Sequence, residues 1–399
     1  MRLLIPLFSP ATGTWGGLTC GLAVAEAAAS LGHEVAFCAS GSLERTLRQR
    51  GHRVYALPPA TMLGLPAPLS RLVEQRSQRL SPPVRAGRSI GSVWLVLIIS
   101  GYGYAGHLRR LTDVQAEAAH VFGAEALFTD LDPGAFLTAA ATGLPMASTY
   151  AAISTHGRGG LAWRWMARAI APVLRRYGRP ACTPGELFCD LGAQDHPLDP
   201  RARRHRLGSP RRVLRRPAPG RDRACIWRNL AVRGGVALRV RPSRHRLGFA
   251  GPPGASAAPG LSGTSRLTCL VGAQGLERPR RIGGVEFRPY VPAEALLPSC
   301  DWSTAHGGQN TIIQSLRHGV SLVVFSGAIF ERRFNAAKVQ EAGAEVTGEA
   351  GELAEDWLRA ALAKQAVYAP RAAALGTRIH SYGGAQVAVT AIAAWAGRG

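Results

Sequence analysis

The sequence has no CxxC pair and no grouping of histidine and cysteine at the spacing of a zinc site. Its seven cysteines stand singly along 399 residues, which excludes a small scaffold held together by disulfides. We interpret the cysteines as reduced thiols and expect a cytoplasmic protein. No metal and no cofactor are predicted.

Long hydrophobic runs are also missing. The most apolar stretch, VWLVLIIS at 93–100, is far shorter than the roughly 20 residues that span a bilayer as a helix. We predict a buried helix there, and the alternative is contact with a membrane surface. The N-terminal stretch MRLLIPLFSPATG has too little apolar length for a signal peptide and is interpreted as a first β-strand.

Acidic residues and lysine are scarce in one part of the chain. Between Arg201 and Arg281 there are 20 arginines, no lysine and only two acids, which gives a net charge of +18. The rest of the chain has 28 basic and 23 acidic side chains, a net charge of +5. The overall charge of +23 therefore belongs to one block and does not by itself indicate a nucleic-acid-binding protein.

Outside this block, short apolar strands alternate with helices that end at glycine. In 1–190 we predict strands at 3–8, 34–38, 53–57, 125–129 and 145–148, with helices between them. Residues 267–399 repeat the pattern, with a helix at 311–318 between two strands. The alternation is typical of parallel, doubly wound α/β domains, whose ligands bind at the carboxyl ends of the strands.

The most informative stretch is His306-Gly307-Gly308, directly before a predicted helix. A helix N-terminus leaves backbone N–H groups free and carries partial positive charge. Glycines let a phosphate approach that backbone closely, and Asn310 and Thr311 add side-chain donors. The pattern indicates a diphosphate site, and the alternative is a tight turn with a structural histidine.

This stretch is part of a longer pattern that resembles the donor-binding signature of family 1 glycosyltransferases. These UDP-glycosyltransferase-like enzymes have the GT-B fold and include bacterial natural-product enzymes. In the N-terminal half, PATGTWGGLT and FTDLDPGAFL are similar to their acceptor domain. The full pattern reads His306-Gly307-Gly308-x-Asn310-Thr311, then Gly319-Val320, then Glu331-Arg332-x-x-Asn335-Ala336.

The resemblance implies two Rossmann-like domains facing a cleft. Residues 1–190 are expected to bind the acceptor, and residues 267–399, which include a closing helix, are expected to bind a nucleotide-sugar. By resemblance, His306 contacts the α-phosphate, Gln314 the ribose and Glu331 the sugar. The expected donor site comprises His306, Gly307, Gly308, Asn310, Thr311, Gln314, Glu331, Arg332, Tyr290 and Val291.

The chain departs from the family at the catalytic base. The expected acceptor loop comprises Thr14, Trp15, Gly16 and Gly17. Gly17 stands at the position of the family's base and cannot take a proton. Asp130 matches the carboxylate that orients the base, and Asp132 is nearby. Either aspartate could accept the proton of the acceptor hydroxyl, and either could instead cap the following helix.

Three further positions differ from the family pattern. Arg332 replaces the glutamine that is usual beside the acidic sugar contact. Ser321 and Ser326 stand where proline is usual. These differences affect the predicted donor domain, so they bear on whether the chain is active.

Residues 191–266 form an anomalous segment rich in Arg, Pro and Gly. It shows neither a strand period nor a helix period, and the apolar strand that opens the donor domain in the family is missing there. We hypothesise that the segment comes from a GC-rich gene read out of frame, which leaves the second domain incomplete. The alternative is a true disordered insert that binds anions.

Together, these observations predict a metal-independent, inverting glycosyltransferase, or an inactive remnant of one. It would move a hexose from a UDP- or dTDP-sugar to a hydroxyl of a small lipophilic acceptor. One alternative is a nucleic-acid- or anion-binding protein that uses the arginine block at 201–281, although its two aromatics provide no stacking platform. Another is a lipid-carrier glycosyltransferase at the membrane surface.

Overall fold

The computed structural model describes residues 1–10, 16–79, 92–149, 159–190, 237–240, 268–272, 278–282, 285–288, 291, 293–326, 330–348 and 360–397. The described residues divide into two compact units. The first unit holds those up to 190 together with 383–397, and the second holds those from 237 to 382. Each unit is built around its own β-sheet.

The first unit contains a five-stranded parallel sheet. The strands Arg2–Pro6 and Ala126–Thr129 in its middle are almost wholly buried and apolar, as expected for a parallel sheet covered on both faces. The strand order is β3-β2-β1-β4-β5, so the chain reverses direction across the sheet between β3 and β4. The strands are β1 (Arg2–Pro6), β2 (Glu34–Ala39), β3 (Arg53–Ala56), β4 (Ala126–Thr129) and β5 (Met146–Ser148).

Helices cover both faces of this sheet. Neighbouring residues of a strand point to opposite faces, so Leu4 belongs to one hydrophobic core and Leu3 and Ile5 to the other. The helices are α1 (Gly16–Ser30), α2 (Gly41–Gln49), α3 (Ala67–Arg79), α4 (Val93–Leu97), α5 (Ala105–Phe122), α6 (Pro133–Thr142), α7 (Leu161–Arg176) and α8 (Pro184–Asp190).

The apolar run at 93–100 is helical, as predicted. It forms α4 and continues into one π-helical turn, Ile98–Tyr102. Trp94 and Leu97 are fully buried in the first core, whereas Leu95 and Val96 are exposed.

The closing helix α13 (Gly384–Ala396) packs in the first unit. Val389 and Ile392 are buried in the same core as Leu3 and Ile5. We predicted this helix as part of the C-terminal domain. The difference arises because its apolar face is buried against α1 rather than against the second sheet.

The second unit contains a seven-stranded sheet in the order β12-β11-β10-β6-β7-β9-β8. Its strands are β6 (Ala237–Val240), β7 (Thr268–Gly272), β8 (Arg280–Ile282), β9 (Val285–Arg288), β10 (Cys300–Ala305), β11 (Ser321–Val324) and β12 (Glu345–Thr347). Its helices are α9 (Ala293–Leu296), α10 (Gln309–Arg317), α11 (Phe330–Glu341) and α12 (Gln365–His380).

The direction of β6 is the main irregularity of this sheet. A doubly wound sheet has the strand order 3-2-1-4-5-6, with all strands parallel. The series β9-β7-β6-β10-β11-β12 reproduces that order, and β6 takes the place of the first strand. However, β6 is antiparallel to both neighbours, β7 and β10. The central position is therefore filled by a chain segment that runs the wrong way.

This strand lies inside the segment 191–266, for which we expected no regular structure. The expectation is corrected for Ala237–Val240, which form ladder hydrogen bonds with two strands. The rest of that segment lies outside the described residues. The disorder and anion-binding alternatives for it therefore remain predictions from sequence.

Several polar groups are buried without partners in the second sheet. Among the described residues, Trp302 Nε1, Ser303 Oγ, Ser321 Oγ and one oxygen of Glu345 have no hydrogen-bond partner. The other oxygen of Glu345 accepts a 2.6 Å bond from Thr347 Oγ1. Burial raises the pKa of Glu345 from 4.5 to about 8, although that bond opposes the shift. The carboxyl group is thus held in its protonated form at neutral pH.

We predict that Glu345 makes the protein less stable as the pH rises. The unfolded chain releases this proton near pH 4.5 and the folded chain near pH 8, so stability falls between these values, by at most about 1.4 kcal/mol per pH unit. Glu345→Gln should flatten this part of the pH profile in urea unfolding. Glu341→Gln, which removes an exposed carboxylate, serves as the control. Identical pH profiles for Glu345→Gln and the unaltered protein would contradict the prediction.

Candidate functional site

The predicted His-Gly-Gly turn lies at the carboxyl edge of the second sheet. Strand β10 ends at Ala305, the turn follows, and α10 begins at Gln309. Gly307 has φ +85°, and a Cβ there would lie 2.6 Å from the carbonyl oxygen of Arg332. A Cβ on Gly308 would lie 2.8 Å from His306 Nε2. Gly307 is therefore required by the geometry, whereas at Gly308 the obstructing atom belongs to the imidazole of His306, which lies against its backbone.

The first turn of α10 presents free donors at this edge. Gly308 is its N-cap residue and supplies no side-chain hydrogen bond to the helix, so its first N–H groups are not capped by a side chain. Asn310 Nδ2 is buried and has no hydrogen-bond partner within the described part of the chain. A ligand that accepts hydrogen bonds and carries negative charge would satisfy both features.

His306 is electrically neutral at this site at neutral pH. Burial and, to a smaller extent, the nearby charge of Arg332 together lower the pKa of His306 to about 4. The imidazole can therefore donate one hydrogen bond to an anion but brings no positive charge of its own.

Helix α11 is tied to the same turn. Asn335 Nδ2 donates a 3.0 Å hydrogen bond to the carbonyl oxygen of Gly307. Arg332, one turn earlier, packs its backbone against Gly307, and Glu331 precedes it. The predicted residues at 306–311 and 331–332 are thus brought together. Asn335 was part of the quoted pattern but was given no role, and only its contact with Gly307 reveals one.

The other predicted donor residues have different environments. Gln314 is half-buried one turn further along α10. Val291 is buried in a small cluster with Leu297 and Val320. Tyr290 lies outside the described residues.

In the first unit, Gly17 faces Asp130. Gly16 and Gly17 are buried in the first turn of α1. A Cβ on Gly17 would lie 3.9 Å from both Cβ and Oδ2 of Asp130. Asp130 follows β4, and its other oxygen accepts a hydrogen bond from Thr149. Thr14 and Trp15 lie outside the described residues.

The two predicted catalytic aspartates differ in what they contact. Asp132 is fully buried and caps α6, accepting bonds from the N–H groups of Gly134 and Ala135 and from Gln115 Nε2. Burial raises the pKa of Asp132 to about 7, against these bonds. Burial also raises the pKa of Asp130, and the bond from Thr149 opposes the rise. We keep Asp130, and not Asp132, as the candidate, because the oxygens of Asp132 are occupied by the helix cap.

Two features are absent from the described residues. No helix among them is both long enough and apolar enough to cross a membrane. They also contain no cluster of three or more side chains suited to hold a metal ion.

The fold recurs among solved structures. The chain is similar to the glycosyltransferase SnogD from Streptomyces nogalater, with a TM-score of 0.57 and 18% identity over 99% of each chain. VinC, a glycosyltransferase solved in complex with dTDP, gives a TM-score of 0.57 and 15% identity over 100% of each chain. CalG4, the calicheamicin glycosyltransferase, gives 0.61 and 14%, over 100% of this chain and 98% of the other.

At such low identities, these similarities establish the fold. It is the GT-B type with Rossmann-like units, which confirms the predicted fold class. No family model matches the chain, and no curated protein matches it in sequence.

The contact between position 17 and Asp130 can be tested directly. We predict that a histidine introduced by Gly17→His pairs with the carboxylate, because only Asp130 lies within 4 Å of the added Cβ among the described residues. NMR titration should show a higher pKa for the new imidazole than in the Gly17→His/Asp130→Asn double variant.

Gly21→His on the same helix serves as the control. Its Cβ would lie 2.9 Å from Leu7 Cδ2 in the core, so it should lower the unfolding temperature. Equal imidazole pKa values with and without Asp130 would show that position 17 does not face it.

Proposed function

We propose that this chain is a glycosyltransferase that takes a hexose from a UDP- or dTDP-sugar and transfers it to a hydroxyl of a small lipophilic acceptor. The observation that carries the proposal is the His306–Gly308 turn at the start of α10. It presents uncapped N–H groups and the unpartnered amide of Asn310 at the carboxyl edge of a doubly wound sheet, where such folds bind nucleotides. The dTDP complex of VinC supports a nucleoside diphosphate in the donor.

The proposed reaction is a displacement at the anomeric carbon of the sugar. The acceptor oxygen forms the new bond from one face while the bond to the diphosphate breaks on the other, so the configuration inverts. The departing diphosphate takes the bonding electron pair and gains negative charge. The N–H groups of α10 and a hydrogen bond donated by the imidazole of His306 stabilise that charge. For this reason we propose a reaction without a metal.

The proton of the acceptor hydroxyl needs a base, and this is the weak point of the chain. Gly17 has no side chain to accept it. Asp130 is half-buried, faces Gly17 and is the remaining candidate. General base catalysis contributes about 10²–10⁴-fold, so transfer by this chain should be slow.

The reversed central strand of the second unit is a second reason to expect slow transfer. In a doubly wound sheet, the carboxyl end of the first strand delivers a loop to the ligand edge. Because β6 is antiparallel to β7 and β10, it brings its amino end there instead. This supports the hypothesis that 191–266 is read out of frame and that a parallel strand is missing from this position.

We predict that His306→Ala weakens the binding of UDP and dTDP by roughly 1–3 kcal/mol, the scale of losing a hydrogen bond to a charged group. Calorimetric titration would measure the effect. His318→Ala is the control, because His318 lies at the other end of α10, where it contacts Glu294. If His306→Ala and His318→Ala bind both nucleotides equally well, His306 lies outside the site.

A second prediction concerns turnover. The chain as printed should show little or no transfer from UDP- or dTDP-glucose to a panel of phenolic and macrolide acceptors. A chain whose reading frame is restored across 191–266 should bind the donor. Adding Gly17→His to the restored chain should raise turnover by roughly 10²–10⁴-fold, and adding Asp130→Ala to that variant should reverse the gain.

Sequencing the coding DNA across 191–266 tests the frame hypothesis separately. Robust turnover by the printed chain would show that the arginine-rich segment is a functional insert and that the base is already present.

A further inference from the structure

We propose that Arg332, rather than His306, supplies the fixed positive charge that binds the diphosphate at the His306–Gly308 turn. This inference rests on the proposed function and goes further, because the resemblance expects at this position a neutral glutamine that contacts the sugar. It assigns Arg332 to the leaving group, whose charge grows as the sugar departs.

Arg332 and Asn335 both pack against Gly307. The carbonyl oxygen of Arg332 lies 2.6 Å, and its Cβ 3.0 Å, from the place that a Cβ on Gly307 would occupy. Asn335, one turn later in α11, donates its 3.0 Å hydrogen bond to the Gly307 carbonyl. The first described turn of α11 therefore packs against the same three-residue turn from which α10 begins. An anion at that turn lies near the positive ends of two helices.

Arg332 carries a positive charge at this turn, whereas His306 does not. His306 is neutral at physiological pH, for the reasons given above. Burial also lowers the pKa of Arg332, and the carboxylate of Glu331 opposes the shift, but a guanidinium stays protonated in proteins. The Arg332 side chain starts at this turn, because its Cβ lies 3.0 Å from the place that a Cβ on Gly307 would occupy, and its charge contributes to the low pKa of His306. Arg332 is thus a permanent cation beside the His306–Gly308 turn.

The Arg332 guanidinium is available to bind an anion. Within the described part of the chain, no hydrogen bond or ion pair to the Arg332 guanidinium occurs at contact distance, and the carboxylate of Glu331 acts on it as a nearby charge. A half-buried guanidinium loses hydration and is stabilised by an anion that it can contact. With the unpartnered amide of Asn310 on the other helix, it offers a diphosphate one charge and several hydrogen bonds.

The anion could come from two parts of a donor, the diphosphate or a carboxylate on the sugar. The titrations therefore use UDP, dTDP, UDP-glucose and UDP-glucuronate against the full chain and its variants. Arg332→Gln should weaken UDP and dTDP by roughly 10- to 100-fold, as expected for a lost charge-assisted hydrogen bond. Arg332→Lys should retain part of the affinity. Arg317→Gln, which removes an exposed charge from the last turn of α10, should change little.

A second readout does not depend on any ligand. In NMR titrations, Arg332→Gln should raise the pKa of His306 from about 4 while burial keeps it below 6.5. Arg332→Lys and Arg317→Gln should leave the pKa of His306 low. The His306 signal is identified by its loss in His306→Gln. A purely structural role for Arg332 would not produce this charge-dependent pattern.

The outcomes separate the two claims. If the unaltered chain binds none of the four ligands, the proposed function and this inference both fail. If it binds them and Arg332→Gln binds UDP equally well, only the inference fails. A loss confined to UDP-glucuronate would assign Arg332 to the sugar and overturn it as well. If the pKa of His306 is unchanged in Arg332→Gln, the charge of Arg332 does not act on His306, and the inference fails.

Discussion

The ligand edge of the second unit depends on the left-handed backbone of Gly307. That conformation lets β10 turn into α10 within three residues, and it leaves no room for a side chain, since the carbonyl of Arg332 lies 2.6 Å from where a Cβ would stand. The bond from Asn335 then fixes the Gly307 carbonyl and brings α11 to the same point. One residue therefore positions a strand and two helices, and the free donors of α10 face outward as a result.

The irregular parts of the second sheet lie apart from this turn. Strands β10, β11 and β12 are parallel and in continuous register, and the N–H of Phe325 extends the pairing to Ala305 at the ligand edge. The reversed β6 lies on the other side of β10. Ser321, which stands where the family usually has proline, is fully buried with an unpaired hydroxyl. The turn is thus supported by three parallel strands, although the buried side chains of these strands include the unpaired polar groups of Trp302, Ser303, Ser321 and Glu345.

The first unit shows the same separation between scaffold and chemistry. Its sheet is regular, its two cores are filled, and Asp130 is held by Thr149. Opposite this carboxylate stands Gly17, which offers no acid–base group. Under the proposed function, the carboxylate that would orient a base is present, but position 17 supplies no base, which leaves Asp130 itself as the candidate. This is the physical reason to expect that donor binding is better preserved than transfer.

The sequence by itself determined the two α/β units, the buried helix at 93–100 and the His306 turn, because strand and helix periods and glycine punctuation are local properties of the chain. It also identified positions 17 and 130 as partners, through resemblance. Tertiary structure alone decided that the closing helix belongs to the first unit, that β6 runs antiparallel, and that Asp132 caps a helix while Asp130 faces Gly17. It also decided that Arg332 and Asn335 meet Gly307. These depend on contacts between residues far apart in the chain, and neither periodicity nor spacing encodes strand direction or side-chain partners.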